Sequence, residues 1–329
     1  MTAVSPEIMS SRPRTLLVLV LALSAVLSAP AAADAFRIGI SDQKLGMWQD
    51  PRFEKLRIDQ VRLLMSYDSV LKGDFARYDE WMTAAAFRGA DVLLTIQHHS
   101  TGPRRLPTYS EYRRTVRILH KRYPWVKSMS AWNEANHVSQ PTYKRPKRAA
   151  RYYNIMREEC RGCRVVAADV LDGKNMLPWL ATFKRYAVKP RIWGLHSYAD
   201  ANRFRPVKLS STRQLLRSVK GAVWLTEAGG IVRFGNFYRG GRQGESRAAN
   251  AVAHTFAVAR SSSRIKRVYL YHWDADPKFV WWDSALVAAN GRARPALDVL
   301  RLELNRQREG RAAPLPRLPK YPKRALPLF

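Results

Sequence analysis

The stretch SAWNEANH (130–137) sets a tryptophan, an amide and an acid directly behind an apolar, strand-like run. An Asn–Glu pair at such a point is either an ordinary helix start, where an acid favours the positive end of the helix dipole, or part of a site built where a strand stops. The surroundings separate the two. Eight short runs, each rich in β-branched, aliphatic or aromatic residues, suit strands buried on both faces. They are FRIGIS (36–41), VRLLMSY (61–67), DVLLTIQ (91–97), KSMSAWNE (127–134), RVVAADV (164–170), RIWGLHSY (191–198), AVWLTE (222–227) and RVYLYHW (267–273).

Helix-length segments alternate with these runs. Thr108 and Glu111 form a capping-box pattern, after which Tyr112, Val116 and Leu119 recur on one face. Residues 146–159, 177–187, 209–219 and 296–308 also suit helices, and Ala249, Val252, Phe256 and Ala259 make an apolar stripe through 246–262. Eight strands alternating with helices over about 270 residues predict an α/β chain folded as a (β/α)8 TIM barrel across 36–305, in preference to a doubly wound sheet.

The two ends fall outside this alternation. Arg12 and Arg14 precede an apolar run from Leu16 to Leu27 and then SAPAAADA. That order predicts a secretory leader over 1–35, cleaved after Ala33 or Ala35. The run is too short for the roughly 20 residues a membrane anchor needs, and no later segment is long and apolar enough to span. At the other end, residues 306–329 are rich in proline, lysine and arginine and read as an extended basic tail.

The 329 residues carry 57 Lys and Arg against 26 Asp and Glu, a net charge of +31; loss of Arg12, Arg14 and Glu7 with residues 1–33 leaves about +30. Such a surplus favours an acidic polymer or an anionic cell envelope as surroundings. Nucleic acid is not expected, because the basic residues are spread along the chain without a binding motif. Cys160 and Cys163, the only cysteines, lack the partners a zinc site requires. In an exported chain they are expected to form a short-loop disulfide bracing a helix end. No metal or other cofactor is expected, and the chain is expected to act as a monomer.

In a (β/α)8 barrel, polar residues at the C-terminal ends of the strands face the substrate. The second strand carries Arg62 and ends near Tyr67 and Asp68, the third ends in Gln97, His98 and His99, and the fourth in Asn133 and Glu134; the sixth carries His196 and Tyr198, the seventh ends in Glu227 and the eighth in Trp273. Two acids on separated strands suit glycoside hydrolysis, in which one protonates the leaving oxygen and the other attacks the anomeric carbon. Arg62 and Tyr198 would hold Glu227 charged and oriented, while Glu134 would need a raised pKa to serve as proton donor. Asn133 would offer its amide to a sugar hydroxyl and Trp273 a flat face to a pyranose ring. Adjacent strand residues point to opposite faces, so only one of His98 and His99 is expected at the mouth; His98 is taken as the substrate contact. Trp48, Trp281 and Trp282 lie in loops where they would either stack on sugar or pack. Arg233, Phe234, Phe237, Tyr238, Arg239 and Arg242 cluster in the loop 232–246 and suggest a grip on an acidic glycan.

These residues are also recognisable. WNEAN (132–136) resembles the Trp-Asn-Glu acid/base motif of clan A glycoside hydrolases, especially the Trp-Asn-Glu-Pro-Asn form of family 39-like enzymes. HSY (196–198) is similar to the His-x-Tyr of family 5 and its relatives, and WLTEAG (224–229) and Trp273 resemble their seventh-strand nucleophile segment and eighth-strand tryptophan. The resemblance spans the chain to about residue 305 and implies a retaining, double-displacement enzyme. It implies Glu134 as acid/base and Glu227 as nucleophile, supported by Asn133, His196, Tyr198 and Trp273. Ala135 stands where many relatives have proline. The rival expectations are a non-catalytic carbohydrate- or envelope-binding protein on the same scaffold, and a transglycosylase.

Overall fold

The computed structural model describes residues 1–2, 36–102, 105–278 and 281–310. The leader expected over 1–35 lies outside the described residues but for its first two, and so does the tail beyond residue 310. The last helix runs to Arg308, so residues 306–308 belong to the barrel and not to the tail. No helix among the described residues is long and apolar enough to cross a membrane.

Eight parallel strands close into a barrel: Arg37–Ser41, Gln60–Ser66, Asp91–Gln97, Ser128–Ser130, Arg164–Leu171, Ile192–His196, Ala222–Ala228 and Ile265–Tyr271. Each pairs with its neighbours in chain order, and the first pairs with the eighth, Ser41 opposite Tyr271. The (β/α)8 barrel expected from the alternation of apolar runs and amphipathic segments is therefore the fold.

The helices on the outside obey local rules. Thr108 Oγ1 accepts the Glu111 N–H at 3.2 Å while a Glu111 carboxylate oxygen accepts the Thr108 N–H at 2.7 Å, closing the capping box that starts helix Tyr109–Arg122. Proline opens Pro146–Glu159 and Pro295–Arg308, where its missing N–H costs nothing. The sequence pattern left the segment after the second strand unassigned; it forms helix Ala76–Phe87, which buries Tyr78, Trp81, Met82 and Ala85 at helical spacing. Helix Pro146–Glu159 ends at the Cys160–Cys163 disulfide.

The barrel interior is layered. Nearer the N-terminal ends of the strands, Leu93, Val166, Trp224 and Tyr269 form an apolar plug. Above it Ser41, Arg62, Ser130, Asp169, His196 and Thr226 make a buried polar layer. Two glycines make room for large side chains. A Cβ on Gly39 would meet the Tyr269 ring at 2.6 Å, and one on Gly194 would meet Asp169 Oδ1 at 1.9 Å and Thr226 Oγ1 at 2.9 Å.

The fourth strand is shorter than the run 127–134 predicted. After Ser130 the backbone leaves regular pairing but still bonds alternately to both neighbours: Ala131 N to Val166 O, Asn133 N to Ile96 O at 3.0 Å, and Ala135 N to Asp169 O at 2.8 Å. A Gly194→Ala substitution is expected to destabilise the barrel by about 1–3 kcal/mol through overpacking against Asp169, read as a lower denaturant midpoint at unchanged m-value.

Candidate active site

The centre of the site is a guanidinium. Arg62, on the second strand, is 0% exposed. Its Nη1 donates to Glu227 Oε2 at 2.6 Å and to Ser41 Oγ at 3.1 Å. Its Nη2 donates to Asn133 Oδ1 at 2.7 Å and to Asp169 Oδ2 at 3.3 Å. Asp169, on the fifth strand, is itself held by the Ser130 hydroxyl at 2.8 Å. Residues from the first, fifth, sixth and seventh strands and from the turn after the fourth thus meet at the Arg62 side chain. An ionised guanidinium in a low-dielectric interior needs such compensation.

Glu227, the penultimate residue of the seventh strand, takes a second donor, the Tyr198 hydroxyl, on its other oxygen at 2.8 Å. With one donor per oxygen, the carboxylate has little freedom to rotate. Burial and the neighbouring Glu227 charge push the Tyr198 phenol well above its ordinary value, so it stays a proton-bearing donor. Tyr198 opens the short helix Tyr198–Asn202. The Asp172 carboxylate, from the end of the fifth strand, accepts the Ala199 and Asp200 N–H groups at 3.0 and 2.8 Å and so fixes that helix and its first side chain.

Glu134 sits in the turn after the fourth strand with a φ of 44°, a left-handed conformation uncommon outside glycine. Several bonds hold the turn. Asn136 accepts the Leu171 N–H at 2.7 Å and donates to the Leu171 carbonyl at 2.9 Å, so its amide pairs with the fifth strand as backbone would. The Ala135 N–H bonded to Asp169 O is a group that proline lacks, which gives this departure from the family motif a structural use.

His196 joins the two acids. Its Nε2 lies 3.3 Å from Arg62 Nη2 and its Nδ1 3.0 Å from Glu134 Oε1. Facing an N–H group, Nε2 serves as acceptor, which leaves the ring proton on Nδ1 for Glu134. Burial alone would raise the Glu134 carboxyl, but the bond from His196 and the positive groups around it hold it below its ordinary value. The carboxyl is therefore lowered where the sequence pattern predicts it raised, because the His196 bond and the nearby positive charges together outweigh desolvation. One carboxylate oxygen each of Glu134 and Glu227 and one His196 nitrogen lie within 4.8 Å of one another. This triad has the donor types of a metal site, but the Arg62 guanidinium already occupies one Glu227 oxygen.

Both acids open into a cavity of about 370 Å³, lined by Gln43, Leu64, Gln97, Asn133, Glu134, His137, Leu171, Tyr198, Glu227, Tyr271 and Trp282. Arg62 and His196 lie beneath it. A larger open groove of about 830 Å³ lies between helices Ala76–Phe87 and Tyr109–Arg122, where its one acid, Asp79, is bound by Arg122.

Two expected residues take other places. Trp273 is 0% exposed, packs edge-on against Phe53 and donates its indole N–H to Asp50, so it has no free face for a sugar. The eighth strand stops at Tyr271, and Tyr271 and Trp282 line the cavity beside Tyr198 where Trp273 was expected. His98 lies beyond the end of the third strand with Nδ1 2.8 Å from the His99 carbonyl; Gln97 lines the cavity in that region. Its neighbour His99 is engaged by Asp68 at 3.2 Å. Trp48 is buried against Phe53 and Trp81. None of Arg233, Phe234, Phe237, Tyr238, Arg239 and Arg242 lines the cavity. Gln43, His137 and Tyr271 were missed by the sequence pattern. Tyr271 alone had a usable signal, as the last residue of the eighth strand.

The model of the glycosyl hydrolase catalytic core matches residues 109–299. The chain belongs to this glycosyl hydrolase family. The matched region contains Glu134, His196, Tyr198 and Glu227 but not Arg62. No curated protein matches the hydrolase by sequence. Solved structures of similar fold include native xylanase 10B from Thermotoga maritima, 14% identical with a TM-score of 0.62, covering 85% of this chain and 98% of that one. GH5_18 from Streptomyces cattleya in complex with GlcNAc is 16% identical at a TM-score of 0.58, covering 86% and 82%. A family 39 glycoside hydrolase from Bacteroides cellulosilyticus is 12% identical at 0.56, covering 83% of this chain and 64% of its own. At such identities the likeness concerns the fold.

Replacing Arg62 by methionine would leave Glu227 and Asp169 facing each other with no cation between them. The Arg62→Met hydrolase is expected to lose about 3–5 kcal/mol of stability in urea unfolding at neutral pH. A loss below 1 kcal/mol would show that the guanidinium does not hold the polar layer together.

Proposed function

We propose that this hydrolase is a retaining glycosidase that cleaves O-glycosidic bonds of a poly- or oligosaccharide with Glu134 as acid/base and Glu227 as nucleophile. The spacing of the two acids carries this reading. One oxygen of each acid lies within 4.8 Å of one of the other, a closeness that favours direct attack by one acid, for which carboxyl groups about 5–5.5 Å apart are usual, over the wider gap of about 6.5–9.5 Å that admits a water. Glu134 gives its proton to the leaving oxygen while a Glu227 oxygen bonds to the anomeric carbon. Glu134, now a carboxylate, takes a proton from water; the water oxygen replaces Glu227 at that carbon, and both acids return to their starting states.

The surrounding groups suit these roles. Arg62 and Tyr198 orient Glu227 for attack, and Asn133, Gln43, Gln97 and His137 offer polar groups to sugar hydroxyls. Tyr271 and Trp282 give the cavity aromatic walls. No lysine or arginine lines it, which favours a neutral sugar ring at the point of cleavage. The positively charged start, apolar run and small-residue end of residues 1–35 support export to the cell exterior, where such a polymer would be met.

Reducing-end release from a panel of neutral and acidic polysaccharides tests the assignment. Glu134→Gln and Glu227→Gln are each expected to lower kcat/KM at least ~10³-fold on whichever polymer is cleaved, and a 2-fluoro glycoside is expected to label Glu227. Two inert variants alongside an equally inert wild type that still binds glycan would sink the enzymatic role.

The pH profile gives a second check. Glu134 must be protonated in the free enzyme, so its depressed pKa sets an alkaline limb of kcat/KM on the acidic side of neutrality. The His196 bond favours the carboxylate; removing it in His196→Gln raises the Glu134 pKa and moves that limb to higher pH. A limb that stays in place, or moves to lower pH, would contradict the contact.

A further inference from the structure

We propose that a basic cavity at the opposite end of the barrel binds the carboxylate groups of an acidic polysaccharide and tethers the enzyme to it. This goes beyond the catalytic reading and does not depend on which acid is the nucleophile. The cavity, of about 360 Å³, is nearly as large as the catalytic one. It is lined by Tyr153, Arg157, the Cys160–Cys163 disulfide with Gly162, Arg164 and Val165 at the start of the fifth strand, and Lys189, Arg191 and Ile192 at the start of the sixth. Because it lies where the strands begin, it opens on the N-terminal face, away from Glu134 and Glu227.

Four cations face this space and no carboxylate lines it. The nearest acids are occupied elsewhere. Glu158 and Glu159 pair with Arg113 and Arg117 on the next helix. Asp91 binds Arg164 and Arg267, so Arg164 forms a neutralised wall. Arg157 donates to the Val188 carbonyl, and its guanidinium lies 5.7 Å from the Tyr153 ring. Among the described residues, no carboxylate pairs with Arg157, Lys189 or Arg191. Three like charges around one concavity repel each other and produce a field that an anion relieves.

The backbone that presents them is not a relaxed loop. Lys189 has a φ of 45°, a left-handed conformation that for a residue of its kind is held by its surroundings. On the other wall the disulfide closes the turn at Gly162, φ 84°. The backbone on both sides of the cavity is thereby constrained, and Lys189 and Arg191 on one side are exposed to an incoming chain. The single aromatic, Tyr153, is buried, with its hydroxyl directed to the Val188 carbonyl at 3.5 Å, so no platform exists for stacking nucleic-acid bases. Forked guanidinium groups around a polar concavity suit the carboxylates of a uronate chain, and a net charge of +31 would draw such a chain in.

Polygalacturonate binding to the full chain, with Glu227→Gln as host so that no polymer is cleaved, tests the site separately from catalysis. In affinity electrophoresis the added pair Lys189→Gln/Arg191→Gln is expected to weaken binding at least tenfold, while Lys208→Gln/Arg217→Gln, which removes the same charge elsewhere, changes it less than twofold. Equal weakening by both pairs would mean that only overall charge acts and would overturn the proposal. So would tighter binding of a single-stranded oligonucleotide than of polygalacturonate at equal charge, lost with the same pair. A measurement free of variant folding is acylation of Lys189 in the unsubstituted chain: galacturonate oligomers are expected to protect it, and undiminished labelling at saturating oligomer would overturn the site.

Discussion

One buried cation organises the interior. Burying the Arg62 guanidinium without partners would cost far more than a domain's whole stability, so its neighbours must be acceptors held in place. Glu227, Asp169, Asn133 and Ser41 meet that need from four different parts of the barrel. The same demand reaches further out. Asp169 fits only because residue 194 is glycine, and the plug of Leu93, Val166, Trp224 and Tyr269 below keeps water from the network. A polar layer of this kind tolerates little error, because an atom that loses its partner has no water to replace it.

The acid/base side is organised differently. Glu134 lies where the fourth strand has already ended, in a left-handed turn laced to the fifth strand by Asn136 and by the Ala135 N–H. Its side chain reaches His196, whose other nitrogen faces Arg62. The two carboxylates therefore share a network in which one is gripped by a cation and a phenol and the other meets an imidazole. Two acids a few ångströms apart acquire different environments, which is what two different roles require.

Charge is divided between the barrel's ends. The mouth that holds the acids has no lysine or arginine on its walls, while the cavity on the N-terminal face has four and no acid. A net charge of +31 says nothing about this division, since composition carries no direction. The arginines of the loop 232–246, grouped by sequence with the nucleophile strand, do not line the cavity at all.

Much of the fold was legible because its causes are local. Strands buried on both faces must be apolar throughout, helix caps require particular side chains three residues apart, and eight alternations leave few ways to close a sheet. Reading polar residues on and just after the strands singled out Arg62, Asn133, Glu134, His196, Tyr198 and Glu227, which the structure places in one hydrogen-bonded network. The same reading failed for Trp273 and His98, whose side chains turn to Phe53 and Asp50 and to the His99 carbonyl. The third and eighth strands stop at Gln97 and Tyr271, one and two residues short of these side chains, which then follow the loop. Where a strand stops is decided by its neighbours' hydrogen bonds and by packing such as that of Trp273 on Phe53. The sequence by itself determined the barrel and the pair of acids. Tertiary structure alone decided the partners of Arg62, the depressed Glu134 and the basic cavity, because each depends on groups distant in the chain that meet only when the barrel closes.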